Sequence, residues 1–273
     1  MYSNKISVII STYNSEKWLN KVLLGYNEQI YKDFELIIAD DGSSEKTKKL
    51  IDDFRKTSLF PITHVWQEDN GFQKSKILNK AILASKAPYI VISDGDCVPR
   101  NTFIKMHHTY REPGYFLSGG YFMLPIDISE KINSEDISSQ ICFNLSWLKT
   151  NGLRNSFKNN KLRTNKRLSE FLNFITPTKA TWNGHNASGW KEDILAVNGF
   201  DERMQYGGQD RELGERLINS GIKSKQIRYS AVVVHLDHTR GYVNKDSWDK
   251  NNAIRKKTRV SKIKTTSYGI KHE

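Results

Sequence analysis

The chain has 273 residues, 37% hydrophobic and 26% charged, which is long enough to bury one substantial core. No stretch approaches the roughly eighteen apolar residues that a membrane-spanning helix needs, and the N-terminus shows no secretory signal pattern. We therefore expect a soluble, cytoplasmic protein. Cys97 and Cys142 are too few for a disulfide framework and lack zinc-site spacing, so we interpret them as small buried hydrophobes.

The formal net charge of +12 favours anionic partners. Nucleotide phosphates, anionic lipid surfaces and nucleic acid all fit, and charge alone does not choose among them.

Short apolar runs alternate with helical patterns in the N-terminal part of the chain. The pattern predicts strands at 6–10, 34–39, 62–66 and 89–93, and helices at 16–28, 45–56 and 73–85. This alternation is typical of βα units around a mostly parallel sheet, so the predicted fold class is α/β.

The pattern is weaker from 116 to 180, and a helix at 209–220 and a strand at 230–236 follow. Residues 149–167 hold seven Lys or Arg and no acid, which indicates either an ordinary exposed face or a segment near an anionic ligand or surface. Residues 255–264 hold six cations and no acid, and we expect this tail to rest on anionic lipid. The predicted domain covers 1–241, as a nucleotide-sugar half (1–125), a variable basic region (126–181) and an acceptor half (182–241), followed by a tail (242–273).

Acidic residues follow two of the predicted strands, as Asp40-Asp41-Gly42 and Asp94-Gly95-Asp96. Ligands of open parallel sheets gather at the carboxyl ends of the strands, although Asp is also a common turn former. Two carboxylates on a sharp turn can hold a hard divalent cation while leaving room for phosphate oxygens.

Three segments, SVIISTYN, IIADDGSSE and YIVISDGDCVPRNTFIKMH, resemble the nucleotide-binding half of family 2 glycosyltransferases. The resemblance implies a single domain of the GT-A fold, with a uracil contact at Asp40 or Asp41. In QEDNGFQKSKILNKAI, Lys76 and Asn79 occupy the places of the family's Arg-x-x-Asn. The implied nucleotide-sugar contacts are Thr12, Tyr13, Asn14, Asp40, Asp41, Lys76, Asn79, Asp94 and Gly95.

The segment from 182 to 217 is similar to the acceptor side of β-1,4-galactosyltransferases and chondroitin-type polysaccharide polymerases. Asp210 matches the catalytic base of their Gly-Gly-Glu-Asp run, with Gln209 in place of the Glu, and Glu212 is the substitute candidate for the base. The resemblance also implies metal binding by Asp96 with His235 or His238. The implied acceptor contacts are Tyr206, Gly207, Gly208, Gln209 and Asn186.

We therefore predict an inverting, metal-dependent transfer from a UDP-sugar of the Gal/GalNAc or Glc/GlcNAc type, with Mn²⁺ or Mg²⁺ as cofactor. The expected acceptor is a glycan or a lipid-linked oligosaccharide of surface polysaccharide synthesis. The alternatives are a sugar nucleotidyltransferase, a GT-A fold that binds glycan without catalysis, and a nucleic-acid-binding protein. The sequence shows no triphosphate-binding loop of the kind that a nucleotidyltransferase needs. A nucleic-acid-binding function would leave the acidic strand ends unexplained, so no nucleic-acid partner is expected.

Overall fold

The computed structural model describes residues 5–163, 165–238 and 245–271. The strands are β1 (Ile6–Thr12), β2 (Phe34–Asp40), β3 (Ile62–Trp66), β4 (Tyr89–Asp94), β5 (Cys97–Pro99), β6 (Tyr115–Ser118), β7 (Gly120–Met123), β8 (Asn186–Trp190), β9 (Lys223–Gln226) and β10 (Val232–His235). The helices are α1 (Glu16–Asn27), α2 (Glu45–Arg55), α3 (Lys74–Ala84), α4 (Phe103–Tyr110), α5 (Ile126–Lys131), α6 (Ser134–Ser138), α7 (Leu145–Thr150), α8 (Lys166–Ile175), α9 (Lys191–Ala196), α10 (Gln209–Asn219) and α11 (Lys245–Val260). Two 3-10 turns span Ile141–Phe143 and Phe157–Leu162.

The central sheet has seven strands in the order β3-β2-β1-β4-β8-β6-β9. Strands β3, β2, β1 and β4 are parallel, β8 runs antiparallel to β4 and β6, and β9 is parallel to β6. Alternate residues of β1 enter different cores, since Val8 and Ile10 belong to one apolar cluster and Ile9 to the other. Both faces of the sheet are covered, which explains why these strands read as continuous apolar runs. The predicted α/β fold is confirmed.

A second sheet of three strands has the order β5-β10-β7. Strand β10 pairs antiparallel with β5 and parallel with β7, which places His235 beside Cys97 and Met123. This small sheet therefore brings the end of β10 next to the acidic turn that follows β4. Cys97 and Cys142 are both free and buried, as predicted.

Most predicted elements are present with small shifts at their ends. The predicted strand 230–236 is shorter, as β10, and the predicted helix 209–220 ends one residue earlier, as α10. Most of the weak middle pattern becomes short helices and 3-10 turns that are too brief to show a helical period, and the ten-residue helix α8 is the exception.

The C-terminal segment is folded against the domain. Helix α11 packs on α10, and the buried Asn251 side chain donates hydrogen bonds to the carbonyls of Gln205, Tyr206 and Gly207. The predicted boundary at 241 lies within residues 239–244, which are outside the described residues. The sequence analysis predicted a basic tail that rests on anionic lipid, whereas α11 packs on the domain. Its polar contacts leave no apolar pattern in the sequence.

Among the described helices, none combines the length and apolarity needed to cross a bilayer.

Candidate active site

A cavity of about 830 Å³ lies at the carboxyl ends of β1 and β4, facing the first turn of α10. This is the edge at which open parallel sheets bind ligands. The predicted site residues that line it are Thr12, Tyr13, Asn14, Asp41, Asp94, Gly95, Asp96, Tyr206, Gln209, Asp210, His235 and His238. Two halves of the chain that are distant in sequence therefore share one pocket.

The Asp41 and Tyr13 side chains form one side of the cavity. Asp41 accepts hydrogen bonds from the Gln67 Nε2 at 2.7 Å and from the Gln73 backbone N–H at 2.9 Å. Burial raises the pKa of Asp41. The half-exposed Tyr13 donates its hydroxyl hydrogen to Asp69 Oδ2 at 2.7 Å, which fixes the edge of the ring at the cavity mouth.

Asp40 does not line the cavity. Its carboxylate is fully buried, accepts a hydrogen bond from the Ser43 N–H at 2.8 Å and lies 2.9 Å from His64 Nε2. Asp40 therefore caps the turn after β2, and Asp41 is the residue of this pair that faces the pocket.

Asn79 and Asn186 are also buried away from the cavity. Asn79 bonds both the N–H and the carbonyl of Phe200, which ties α3 to the loop after α9. Asn186 lies 2.9 Å from His107 and donates to the carbonyls of Gly120 and Ala231. Both amides hold the site's elements together, because each satisfies backbone groups that would otherwise be buried without partners.

Lys74, two residues before the predicted Lys76, supplies the cation of this site. Lys76 is exposed on the outside of α3, whereas Lys74 Nζ lies 2.6 Å from Asp94 Oδ1 inside the cavity. Burial by itself lowers the pKa of Lys74, but attraction to Asp94 and Asp210 outweighs it and raises the pKa above its usual value. Lys74 therefore stays charged between the two acidic sides of the pocket.

The acidic turn after β4 is tightly packed against β1. The Gly95 N–H donates to the Ser11 carbonyl at 2.8 Å, and a Cβ at Gly95 would lie 2.9 Å from the same oxygen. Ser11 Oγ also donates to Asp94 Oδ1 at 2.8 Å. Only glycine fits here without displacing the strand, so the positions of Asp94 and Asp96 are set by backbone geometry.

Asp96, Cys97 and His235 place potential metal-ligand atoms within 4.8 Å of one another. His235 Nδ1 lies 3.0 Å from the Leu236 carbonyl, which can only accept, so Nδ1 carries the hydrogen and Nε2 keeps its lone pair. His238 Nε2 lies 2.8 Å from Asp96 Oδ2, against 3.6 Å for His235 Nε2.

Electrostatic attraction and burial shift the pKa of Asp96 in opposite directions. Burial alone raises the pKa of Asp96, but the hydrogen bond from His238 and the electrostatic influence of the two histidines outweigh it and lower the pKa below its usual value. Burial raises the pKa of the Cys97 thiol well above its usual value, so Cys97 is the weakest ligand candidate of the three.

Asp210 lies in the first turn of α10, where the helix dipole favours an anion. Its Oδ1 atom is buried and has no hydrogen-bond partner among the described residues. A Cβ at Gly184 would lie 2.8 Å from both carboxylate oxygens, so the glycine leaves the space that Asp210 occupies. Burial raises the pKa of Asp210 to about 6, with Lys74 opposing and Asp94 adding to the shift.

Glu212 does not face the cavity. Both of its carboxylate oxygens accept hydrogen bonds from Arg216 Nε at 2.9 Å, and Thr258 Oγ1 donates to Oε1 at 2.9 Å. The Glu212–Arg216 pair is fully buried on α10, and the hydrogen bond from Thr258 joins it to α11. Glu212 is therefore a structural ion-pair partner and not a substitute base.

The two glycines before α10 serve the packing of α11. Gly207 and Gly208 have φ of 110° and 86°, which only glycine adopts easily. A Cβ at Gly207 would lie 2.9 Å from the Trp248 ring, and one at Gly208 would lie 2.9 Å from Arg255 Cδ. Neither lines the cavity, in contrast to their neighbours Tyr206 and Gln209.

Residues 7–120 match the sequence profile of Glycosyl transferase family 2. The match covers less than half of the chain. It extends from β1 to the start of β7 and includes the cavity residues Thr12, Asp41, Asp94 and Asp96.

Several curated proteins match this chain over most of its length. It is 29% identical over 247 residues to chondroitin synthase of Escherichia coli, covering 81% of this chain and 33% of the relative. It is 25% identical to hyaluronan synthase of Pasteurella multocida, covering 81% of this chain and 24% of the relative. The chain thus spans a third or less of the length of these two relatives.

Solved structures share the GT-A fold. S. aureus TarS 1-349 in complex with UDP superposes with a TM-score of 0.60 at 14% identity, covering 92% of this chain and 64% of that one. Mannosyltransferase PcManGT from Pyrobaculum calidifontis, in complex with GDP-Man and Mn2+, gives 0.58 at 17% identity, covering 87% and 58%. Fold and family together identify the chain as an enzyme of the glycosyltransferase class.

The cavity-lining residues that sequence reasoning missed include Lys74, Gly184 and His185. Lys74 is hidden because Lys76 fits the family spacing, while Gly184 and His185 lie in a loop of no recognisable period. A helical wheel of α3 is the signal that could have found Lys74, because residues two positions apart on a helix point in nearly opposite directions.

Proposed function

We propose that this chain transfers a sugar from a UDP-sugar to a glycan or lipid-linked acceptor, with inversion at the anomeric carbon, in surface polysaccharide synthesis. The observation that carries the proposal is the shared cavity. Asp94, Asp96 and His235 face it from one side, and the unpartnered Asp210 carboxylate faces it from the other. Groups for a diphosphate and for a proton acceptor are thereby brought to one pocket.

The nucleotide side of the cavity suits uridine. Asp41 presents a carboxylate that can accept from a base N–H, and Tyr13 presents a half-exposed ring beside it. TarS 1-349, a neighbour in fold, has been solved with UDP and with UDP-GlcNAc, which supports a UDP-sugar here. The donor sugar in this proposal is a galactose or glucose type, with or without the N-acetyl group.

The residues around Asp96 fit a divalent cation. Asp96 offers a carboxylate oxygen and His235 offers Nε2, whose lone pair is free because Nδ1 is used at the Leu236 carbonyl. His238 is the alternative ligand, at present bonded to Asp96. When bound, Mn²⁺ or Mg²⁺ would neutralise the charge that develops on the diphosphate.

Asp210 is proposed to remove the proton of the acceptor hydroxyl. The acceptor oxygen forms its bond to the anomeric carbon while the bond from that carbon to the diphosphate oxygen breaks, and the proton goes to the Asp210 carboxylate. Attack opposite to the leaving group inverts the configuration. A pKa of about 6 leaves the carboxylate ionised at neutral pH and basic enough to take a proton.

Lys74 bridges the two sides in this proposal. Its ammonium group bonds Asp94 and attracts Asp210, so it keeps both carboxylates from repelling the incoming diphosphate. Gly184 keeps the volume beside Asp210 open. These two residues position charge and space, whereas Asp210 carries the proton.

The test is a transfer assay with the full chain, UDP-Gal, UDP-GalNAc, UDP-Glc and UDP-GlcNAc, Mn²⁺ or Mg²⁺, and oligosaccharide acceptors. We expect UDP release that depends on the cation and on one donor, and loss of transfer in Asp210→Asn. Formation of UDP-sugar from UTP and a sugar 1-phosphate would instead support a nucleotidyltransferase. Binding of UDP with neither hydrolysis nor transfer from any donor would contradict the proposal.

Peripheral association with an anionic membrane is part of this proposal, since lipid-linked acceptors lie at such surfaces.

A further inference from the structure

Helix α8 carries three large apolar side chains on its outer surface. Phe171, Phe174 and Ile175 are 57%, 88% and 48% exposed. They are spaced three and four residues apart, so they share one side of the helix, which we name the α8 face. An exposed cluster of this kind usually marks an interaction surface.

The helix itself is firmly anchored by its opposite side. Leu172 and Ser169 are buried, and the Asn173 Oδ1 accepts a hydrogen bond from the Tyr229 N–H at 2.9 Å. Asn165 caps the N-terminus by accepting from the Leu168 N–H at 3.1 Å. The exposure of the α8 face is therefore a property of a well-packed helix.

Exposed cations precede α8 in the chain and occupy its first turn, where Arg167 lies four residues before Phe171. The segment 149–167, which leads into the helix, contains seven Lys or Arg and no acid. Glu170 is the single acid within α8, and it lies 3.9 Å from Lys166 and accepts from the Tyr110 hydroxyl. The exposed cations of this segment are Lys149, Arg154, Lys158, Arg163, Lys166 and Arg167.

The C-terminal helix offers a weaker surface for the same partner. Arg255 and Arg259 both pair with Glu215, at 2.6 and 3.2 Å, which neutralises part of the basic stretch. Among the described residues of α11, Val260 is the single large apolar side chain that is more than half exposed. The α8 face thus combines charge and exposed apolar surface where α11 has mainly charge.

We propose that the α8 face docks on an anionic lipid bilayer, with Phe171 and Phe174 entering the headgroup region and the neighbouring cations contacting lipid phosphates. Charge complementarity selects this occupant, because an apolar patch bordered by unbalanced cations fits a surface that is apolar within and negative outside. A second copy of the chain would bring the same cations against each other and is disfavoured.

This docking would place the cavity near the membrane. Lys161, in the 3-10 turn within the basic segment, donates to the carbonyl of Tyr121 at 3.0 Å, and Tyr121 lines the cavity. The basic segment that leads into α8 therefore contacts a residue at the rim of the pocket. Docking on a membrane rests on the proposed membrane association and does not depend on which sugar is transferred.

The experiment is sedimentation of the full chain with vesicles of phosphatidylcholine alone and with vesicles that also contain phosphatidylglycerol. We expect binding to the anionic vesicles, and a loss of at least about tenfold in Phe171→Ser/Phe174→Ser, because each exposed ring contributes apolar burial on docking. Lys166→Gln/Arg167→Gln should weaken binding by about fivefold per cation on anionic vesicles alone.

Two controls separate this surface from others. Leu59→Ser removes an apolar side chain that is 68% exposed elsewhere and should leave binding unchanged. Lys256→Gln/Lys257→Gln removes exposed cations of α11 and should have at most a minor effect. Thermal unfolding of each variant verifies that it is folded, which the exposure of these side chains favours.

Three results would overturn the inference: no vesicle binding by the unaltered chain, equal binding by Phe171→Ser/Phe174→Ser, or loss of binding in the α11 variant alone. A change of oligomeric state in Phe171→Ser/Phe174→Ser without any lipid effect would also overturn it, in favour of self-association. Transfer to a water-soluble acceptor should be the same in all variants, so failure here is distinguishable from failure of the proposed activity.

Discussion

Replacing Asp210 by Asn should make the protein more stable while it abolishes transfer. The ordinary pKa of 3.8 rises to about 6 in the folded chain. A shift of roughly two units corresponds to about 3 kcal/mol, because each unit is worth about 1.4 kcal/mol. The ionised carboxylate therefore costs the folded state about that much, and the amide, equal in size but uncharged, removes the cost.

The sign of this effect fixes its pH dependence. A raised pKa means that the folded chain binds the proton more tightly than the unfolded chain does, so the cost is absent when both states are protonated. It begins near the ordinary pKa of 3.8 and is complete above about 6. Asp210→Asn should thus match the unaltered chain in stability near pH 4 and exceed it at pH 7.5 by up to about 3 kcal/mol.

Asp210→Asn should lower the rate of transfer although it raises the stability of the fold. Loss of a general base lowers the rate by roughly a hundred- to ten-thousandfold, while UDP binding should stay nearly unchanged. In the unaltered chain, turnover should fall as the pH drops through about 6, because Asp210 becomes protonated. Asp96→Asn should differ by weakening donor binding as well.

Urea unfolding at the two pH values, calorimetry with UDP and the transfer assay test this together. If Asp210→Asn were less stable than the unaltered chain at pH 7.5, the ionised Asp210 carboxylate would not destabilise the folded state. If it kept more than about a tenth of the turnover, Asp210 would not be the base.

Further predictions follow from neighbouring contacts. Calorimetry should show UDP binding at least about tenfold weaker with chelator than with Mn²⁺, because unneutralised carboxylates repel the diphosphate, and equal affinity would contradict the metal role. Lys74→Met should weaken UDP binding by roughly tenfold or more in the same measurement, while the matched change Lys76→Met at an exposed position should not; equal effects would remove Lys74 from the site. Gly184→Ala should lower kcat by at least about tenfold with little change in UDP affinity, since its Cβ displaces the Asp210 carboxylate, and normal turnover in steady-state kinetics would refute this positioning. Glu212→Gln should destabilise the fold by about 3 kcal/mol or more in urea unfolding because it leaves Arg216 buried without its charge partner; a stable variant without transfer would return Glu212 to the list of candidate bases.

The parallel strands β1 to β4 of the central sheet could be predicted because most of their residues are buried between the two cores, whereas β6, β8 and β9 of the same sheet were missed. Such strands show as unbroken runs of Ile, Val and Leu, and each run ends in a polar turn that is visible in the sequence. The α/β fold and the edge that carries the site both follow from this pattern.

The small sheet and the C-terminal helix could not be predicted in the same way. Strands β5 and β7 have three and four residues, too few to show an alternation. Helix α11 is attached through Asn251 and the Arg255–Glu215 pair, contacts between residues about 40 positions apart. Local patterns carry no information about such pairings, so the basic composition alone suggested a tail that rests on anionic lipid.

Within the site, sequence reasoning was wrong about which of two nearby side chains points into the cavity. Asp40 and Asp41 are adjacent, and only the fold shows that Asp40 turns inward to His64. Lys74 and Lys76 lie on one helix, and only the packing of α3 shows which of them faces Asp94. A motif identifies the neighbourhood of a contact, whereas side-chain direction depends on how each element is packed.

Three departures from ordinary packing lie at the cavity, beside others elsewhere in the described residues. Thr12 Oγ1 and Asp210 Oδ1 are buried without hydrogen-bond partners among the described residues, and both belong to cavity residues. Asn14 takes a left-handed φ of 43° at the same rim. Each feature costs free energy in the isolated fold, and a bound substrate that hydrogen-bonds these atoms would recover part of it. The Asp210 carboxylate is the clearest case, because the burial that makes it costly also raises its pKa into the range where a general base works.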